Sequence, residues 1–297
     1  MARLLVLTDR LDSDPDWKGA VIWQTIMSLA ESQHEVLVAT PLSLEYIQQT
    51  HPRLTVIQPI RSWRVDQLPR LIKTILSYQP QVIHSFALQP SRTLTPLTVW
   101  PYLTGMCKAL PGVRRVSTFF EVADCARRDP SFLWHQSCSI ATAFSEAHRQ
   151  TIALELDRPA TRLPLELQSL SGAPATRLVI PAAVSEWQNP TSGLQVLRRR
   201  LEENSAVTAL VIGGWGDCSP SQRKAGWSEL QELGARVKMC APLSYSDLLE
   251  ELRQGGEILL DLLPPRSWRY LLISQLLNVN AQGSTANSIS RIYSAEV

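Results

Sequence analysis

Residues Arg3 to Thr8 form a nearly unbroken apolar run, the pattern of a strand covered by helices on both faces of a parallel sheet. A polar stretch, Asp9 to Lys18, follows and ends at Gly19. Beyond it Ala20, Val21, Ile22, Ile26, Met27, Leu29 and Ala30 recur at helical spacing, and a second apolar run, Glu35 to Ala39, stops at Thr40-Pro41. Strand, helix and strand in so few residues make a βαβ unit, which must be parallel and right-handed.

The alternation continues. Strands are predicted over 54–58, 81–85, 115–120 and 139–144, with an amphipathic helix over 66–78 whose Leu68, Leu71, Ile72 and Ile75 share a face. A long apolar helix over 94–110 should be kinked or split by Pro96 and Pro101. Ser145 is placed to cap a helix that begins at Glu146. Leu165 to Thr176, rich in Ser, Gly, Ala and Pro, has the character of a linker. The pattern then restarts, with strands over 177–180, 207–212, 237–240 and 257–262. Helices are predicted over 193–203, 221–233, from Ser244 onward, over 268–277, and finally over 286–296.

The pattern predicts an α/β chain of two Rossmann-like domains with parallel sheets. Residues 1–166 form the first and 167–284 a reduced second, with 285–297 a terminal helix that returns to pack on the first. A length of 297 residues accommodates two cores. Ligands of such sheets bind beyond the carboxyl ends of the strands, here in a groove between the domains.

Composition narrows the function classes. An apolar fraction of 44% with 19% charged residues is that of an ordinary soluble domain, and a net charge of +2 argues against a nucleic-acid binder. The clusters Arg114-Arg115, Arg127-Arg128 and Arg198 to Arg200 are read as solvated edges. No apolar run approaches the ~20 residues of a membrane helix, and the apolar start of the chain is short for a secretory signal. Cysteines 107, 125, 138, 218 and 240 show no Cys-x-x-Cys pairing, which suits free thiols in a cytoplasm. His135 and Cys138 have the spacing of a metal pair, but no second pair accompanies them, so no metal site is expected.

The order of segments resembles the retaining glycosyltransferases of the GT-B fold, family 4, over essentially the whole chain. The segments that carry the likeness are Leu4 to Arg10, the Gly19 turn, His34 to Pro41, Gln81 to Ser85 and Ala143 to Ala147. In the second domain they are Leu210 to Gly216 and Ser244 to Leu262. The resemblance implies transfer of a sugar from a nucleotide donor, with the donor's diphosphate neutralised by an Arg and a Lys after the first strand of the second domain. That segment here is Pro181 to Gly193: the Arg place falls at Ala182 or Ala183, the Lys place at Ser192, and Glu186 would repel phosphate.

The family's pair of donor-binding glutamates falls on Arg266 and Ser274, neither of which can do a carboxylate's work. Where the family shows His-Asp near the reacting sugar, this chain has Phe120-Glu121. A scaffold that aligns while three parts of one active site are altered points to a pseudo-glycosyltransferase. It would need no cofactor and would serve a protein partner in cell-envelope or polysaccharide assembly, in the cytoplasm or at the inner face of the membrane.

The rival is an active transferase with an atypical donor site, in which Arg266 or Arg269 supplies the cation and Glu186 or Glu121 the carboxylate. A third reading is a ligand sensor that closes on a small molecule. The nucleotide-binding candidates are Gly19, Gly213, Gly214, Trp215, Gly216 and Arg266. Trp215 is also read as a loop residue packed on the neighbouring helix, His84 as a strand-end contact, and Glu121 with Asp124 as a general-base pair. Residues 94–110, with Trp100 and Tyr102, are a candidate membrane contact. Tryptophans 17, 23, 63, 100, 187 and 268 are candidates for an exposed aromatic surface that a protein partner could use.

Overall fold

The computed structural model describes residues 1–11, 17–42, 51–86, 95–110, 112–121, 127, 129–144, 146–162, 177–265 and 267–278. These fall into two compact units, the first holding the described residues up to 162 except Trp17, the second holding 177–278 together with Trp17.

In the first unit the apolar runs become β1 (Arg3–Leu7), β2 (Glu35–Ala39), β3 (Leu54–Ile57), β4 (Val82–Phe86), β5 (Arg114–Phe119), β6 (Ile140–Ala143) and β7 (Ala160–Arg162). They pair in parallel in the order β3-β2-β1-β4-β5-β6-β7. Central β1 is apolar because both its faces are covered: Leu4, Leu5, Val6 and Leu7 are all fully buried. Helices α1 (Lys18–Glu31), α2 (Leu68–Tyr78), α3 (Trp100–Ala109), α4 (Phe132–Ser137) and α5 (Glu146–Leu156) complete the unit.

The expected long helix over 94–110 is split, as its prolines require. A 3-10 turn at Thr95–Leu97 precedes α3, and Pro101 stands in the first turn of α3, where a missing N–H costs nothing. Short α4 and β7 were not evident in the sequence pattern, since six and three residues cannot display a period. Ser145, the linker and the terminal helix over 285–297 lie outside the described residues.

A thread of polar groups runs through this core. The Trp134 indole N–H donates to Ser85 Oγ at 2.8 Å, and Ser85 meets the Ser117 hydroxyl at 2.8 Å. Ser117 is in turn 2.9 Å from His135 Nδ1 and 3.1 Å from Cys138 Sγ. Thus His135 and Cys138 converge on one hydroxyl. Burial pushes the Cys138 thiol up to about 12. From neighbouring positions of alternate facing, His84 Nε2 lies 2.6 Å from Thr118 Oγ1, which lies 2.5 Å from Thr142 Oγ1. His84 is therefore sealed within the sheet rather than placed at an open strand end.

Burial lowers both His84 and His135 to about 3, so each ring is neutral in the folded chain above that pH. In the unfolded chain they take up protons below 6.5. Between those limits the unfolded state binds more protons, so stability falls as pH drops from 6.5 toward 3, by up to about 1.4 kcal/mol per pH unit for each ring. Urea unfolding of His84→Gln across this range should show a shallower pH dependence than the native chain. An identical slope would contradict the assignment.

The second unit holds β8 (Arg177–Ile180), β9 (Thr208–Ile212), β10 (Val237–Cys240) and β11 (Glu257–Ile258), parallel in the order β10-β9-β8-β11. Its helices are α6 (Pro190–Glu203), α7 (Pro220–Leu230), α8 (Tyr245–Arg253) and α9 (Trp268–Asn278). Each of α6, α7 and α8 is capped by a side chain: Asn189, Ser219 and Ser244 accept from main-chain N–H groups of the first turn. The apolar run 257–262 yields only a two-residue strand, because the chain leaves the sheet into a 3-10 turn at Leu260–Leu262.

Four of the six tryptophans that sequence position suggested for an exposed surface are buried: Trp17, Trp100, Trp187 and Trp268. Trp100 packs between Trp63 and Trp134, with ring centroids 4.8 and 6.1 Å away. In that segment Leu97 and Tyr102 remain exposed.

Candidate functional site

The second sheet reverses its direction of growth at β8, with β9 and β10 laid on one side and β11 on the other. In open parallel sheets ligands bind at the carboxyl ends of the strands beside such a reversal. In this unit that place is bounded by the segment after β8 (181–189) and the start of α9, and the segment after the edge strand β10 (241–244) lies at the same end of the sheet.

The segment after β8 turns tightly. Ala182 and Ala183 are buried, a 3-10 turn covers Val184–Glu186, and the Trp187 indole donates to the Ala182 carbonyl at 3.2 Å. Gln188 N–H donates to the Leu262 carbonyl at 2.8 Å, tying this segment to the one after β11. The Ser192 N–H, where the resemblance implies a Lys, is taken by the Asn189 side chain at 3.1 Å. Ser274, where the resemblance implies a glutamate, turns its hydroxyl back to the Leu271 carbonyl at 2.9 Å.

Charge at this end is internally balanced. The Arg269 guanidinium meets Glu186 Oε2 at 2.8 Å, and Arg269 is itself largely buried. Its guanidinium carbon lies 4.7 Å from the centroid of the Trp17 ring, a cation–π contact. The Trp17 indole N–H donates to the Leu243 carbonyl at 2.9 Å, and the residue is 1% exposed. Trp17 also holds a left-handed backbone, φ 64°, a conformation costing a bulky residue about 1–3 kcal/mol and retained only where surroundings dictate it.

The glycine turn after β9 is stitched to its neighbours. Gly213 N–H donates to Cys240 O at 3.0 Å, Gly216 N–H to Gly213 O at 3.2 Å, and Asp217 N–H to Ser185 Oγ at 3.1 Å. The carbonyl of Gly214 accepts from Val184 N–H at 2.9 Å. Main-chain amides spent in this way have no proton left for a phosphate. Arg223 donates to the carbonyls of Gly216 and Cys218 at 2.8 and 2.9 Å. Trp215 packs against α7, where Gly226 leaves room for its ring and Trp227 meets it edge-on at 5.4 Å.

In the first unit Gly19 is buried in the first turn of α1. Glu121, just past β5, faces the Nζ of buried Lys18 at 3.5 Å, and that amine lies 5.8 Å from the centroid of Phe120. His148 Nδ1–H donates to the Phe120 carbonyl at 2.7 Å. Asp124 and Arg266 lie outside the described residues. Among the described residues no three His, Cys, Asp or Glu side chains gather as a metal would require, and no helix is long and apolar enough to cross a membrane.

Of the candidates chosen from sequence, the structure brings Gly213, Gly214, Trp215 and Gly216 into one turn, and pairs Arg269 with Glu186. Sequence reasoning missed Lys18 and the placement of Trp17. The only signal was their position just ahead of Gly19, where α1 begins.

The architecture is that of the GT-B glycosyltransferases and their structural relatives. A glycosyltransferase of Rickettsia africae matches with a TM-score of 0.56 at 12% identity, over 86% of this chain and 72% of its own. Anabaena HepE, solved in complex with UDP and glucose, matches with a TM-score of 0.52 at 13% identity, over 98% of this chain and 93% of its own. An α-glucosyltransferase solved with UDP and a mismatched DNA 13-mer matches with a TM-score of 0.54 at 10% identity, over 87% and 71%. No family model and no curated protein sequence matches the chain. At these identities the likeness is one of fold.

Proposed function

We propose that this is a non-catalytic glycosyltransferase-like protein of the family 4 type, retained as a binding partner in cell-envelope or polysaccharide assembly. The observation that carries this reading is the Arg269–Glu186 pair at the ligand end of the second sheet. Breaking a glycosyl–phosphate bond leaves charge on the departing diphosphate, which a transferase must meet with preorganised cations and N–H donors. The guanidinium is already paired with Glu186, and in the neighbouring glycine turn the Gly213, Gly216 and Asp217 N–H groups serve the protein's own loops. Buried Ala182 and Ala183 add that the family's Arg place is filled by methyl groups in packed surroundings.

Incubated with UDP-glucose or GDP-mannose, the chain should release nucleoside diphosphate no faster than buffer alone, and a protein partner should co-purify with it. An active transferase is the second reading, favoured by the near full-length match to HepE, which holds UDP and glucose. Under it Arg269 or Arg266 would meet the phosphates and Glu186 or Glu121 would supply the carboxylate. Sugar transfer lost in Arg269→Ala would establish that reading in place of ours. Exposed Leu97 and Tyr102 support a peripheral membrane contact through 94–110 at the inner membrane face.

A further inference from the structure

We propose that Trp17 is an intramolecular occupant of the ligand-binding end of the second unit, its indole filling the place beside Arg269 that a planar, diphosphate-bearing ligand of the nucleotide class would take. The inference rests on the preceding one in supposing that this end is closed, and it names what closes it.

Three features of this residue carry the inference. The first is place: Trp17 touches Leu243, which follows β10, and Arg269, which opens α9 and pairs with Glu186 after β8. All three lie at the carboxyl ends of the strands, Glu186 after β8 at the reversal of the sheet and Leu243 after the edge strand β10. The second is chemistry. The indole donates a ring N–H to a main-chain carbonyl and lays its π-face toward a guanidinium, two contacts equally available to a nucleobase. The third is conformation: a bulky side chain on a left-handed backbone at φ 64° is held in position by its surroundings rather than by local preference.

A tryptophan that merely filled a core would leave, on truncation, an apolar void indifferent to nucleotides. An occupant would leave a vacancy with a carbonyl acceptor and a guanidinium in its walls.

The full-length chain and its Trp17→Ala and Trp17→Phe variants should be titrated with UDP by calorimetry, with circular dichroism confirming that each is folded. The native chain is expected to take up no UDP. In a Glu186→Gln background, which releases the Arg269 guanidinium, Trp17→Ala should bind UDP saturably, millimolar free indole should compete, and adding Arg269→Ala should abolish the binding. In the same background Trp17→Phe, which keeps a ring but lacks the N–H, should fall between that variant and the native chain, and it carries the test if the alanine variant does not fold. Folded variants in that background as inert as the native chain would overturn the occupant while leaving the proposed function standing. UDP binding by the native chain itself would overturn both.

Discussion

Replacement of Trp134 by alanine is expected to destabilise the first unit by about 3–5 kcal/mol, the range for truncating a buried large aromatic. Trp134 is fully buried on α4, against Trp100 and the apolar face formed by β1, β4 and α3. Its loss also strips Ser85 of a donor at the head of the buried hydroxyl thread. Trp134→Phe keeps most of the ring and removes the N–H, and should cost about 1–3 kcal/mol, the scale of one buried polar group left unpaired. Urea unfolding, read through hydrogen exchange of the β4 and β5 amides, separates the two contributions. Equal losses in both variants would mean that the hydrogen bond, and not the packing, dominates.

The second large effect belongs to the glycine turn. Gly216→Val should destabilise the second unit by about 2–5 kcal/mol, combining a left-handed penalty of about 1–2 kcal/mol with overpacking of about 1–3 kcal/mol. Its φ is 57°, and an added Cβ would collide with Ser185 Oγ and lie 2.8 Å from Ala183 Cβ. Ser185 cannot simply turn aside, because its hydroxyl accepts the Asp217 N–H. Thermal melting followed through the β8 and β9 amides provides the measurement. A variant as stable as the native chain would show that the turn and the segment after β8 do not pack closely. In that case the amides could still serve a phosphate.

The sequence made the sheets legible and their contents less so. β1, β2, β8 and β9 announce themselves because strands covered on both faces need unbroken apolar runs. β11 misled for the same reason: Leu259, Leu260, Leu262 and Leu263 are apolar, but the last three serve a 3-10 turn and its flank rather than a strand. The places of Ala182, Ala183, Ser192 and Ser274 were singled out by a resemblance alone, each as a residue standing where that resemblance implies another. The pairing of Glu186 with Arg269 could not be read from the sequence. They are distant in sequence, and the pattern offers each a role toward a ligand but gives no sign that they meet each other.

Trp17 is the clearest case of what a pattern leaves out. Alone in a polar stretch it has no periodicity, and its position suggested an exposed aromatic. Its burial beside Arg269 and Leu243 is a contact distant in sequence that no local pattern records. Trp100 turned inward for a comparable reason: α3 begins at Trp100, and the first turn of the helix packs on Trp63 and Trp134.

Whether the ligand end of the second unit can steady a diphosphate is decided most directly by calorimetric titration of the native chain with UDP at millimolar concentration and low salt. An internally neutralised Arg269 predicts no saturable heat. A saturable isotherm that disappears in Arg269→Ala would contradict it, since the guanidinium would then have exchanged Glu186 for phosphate.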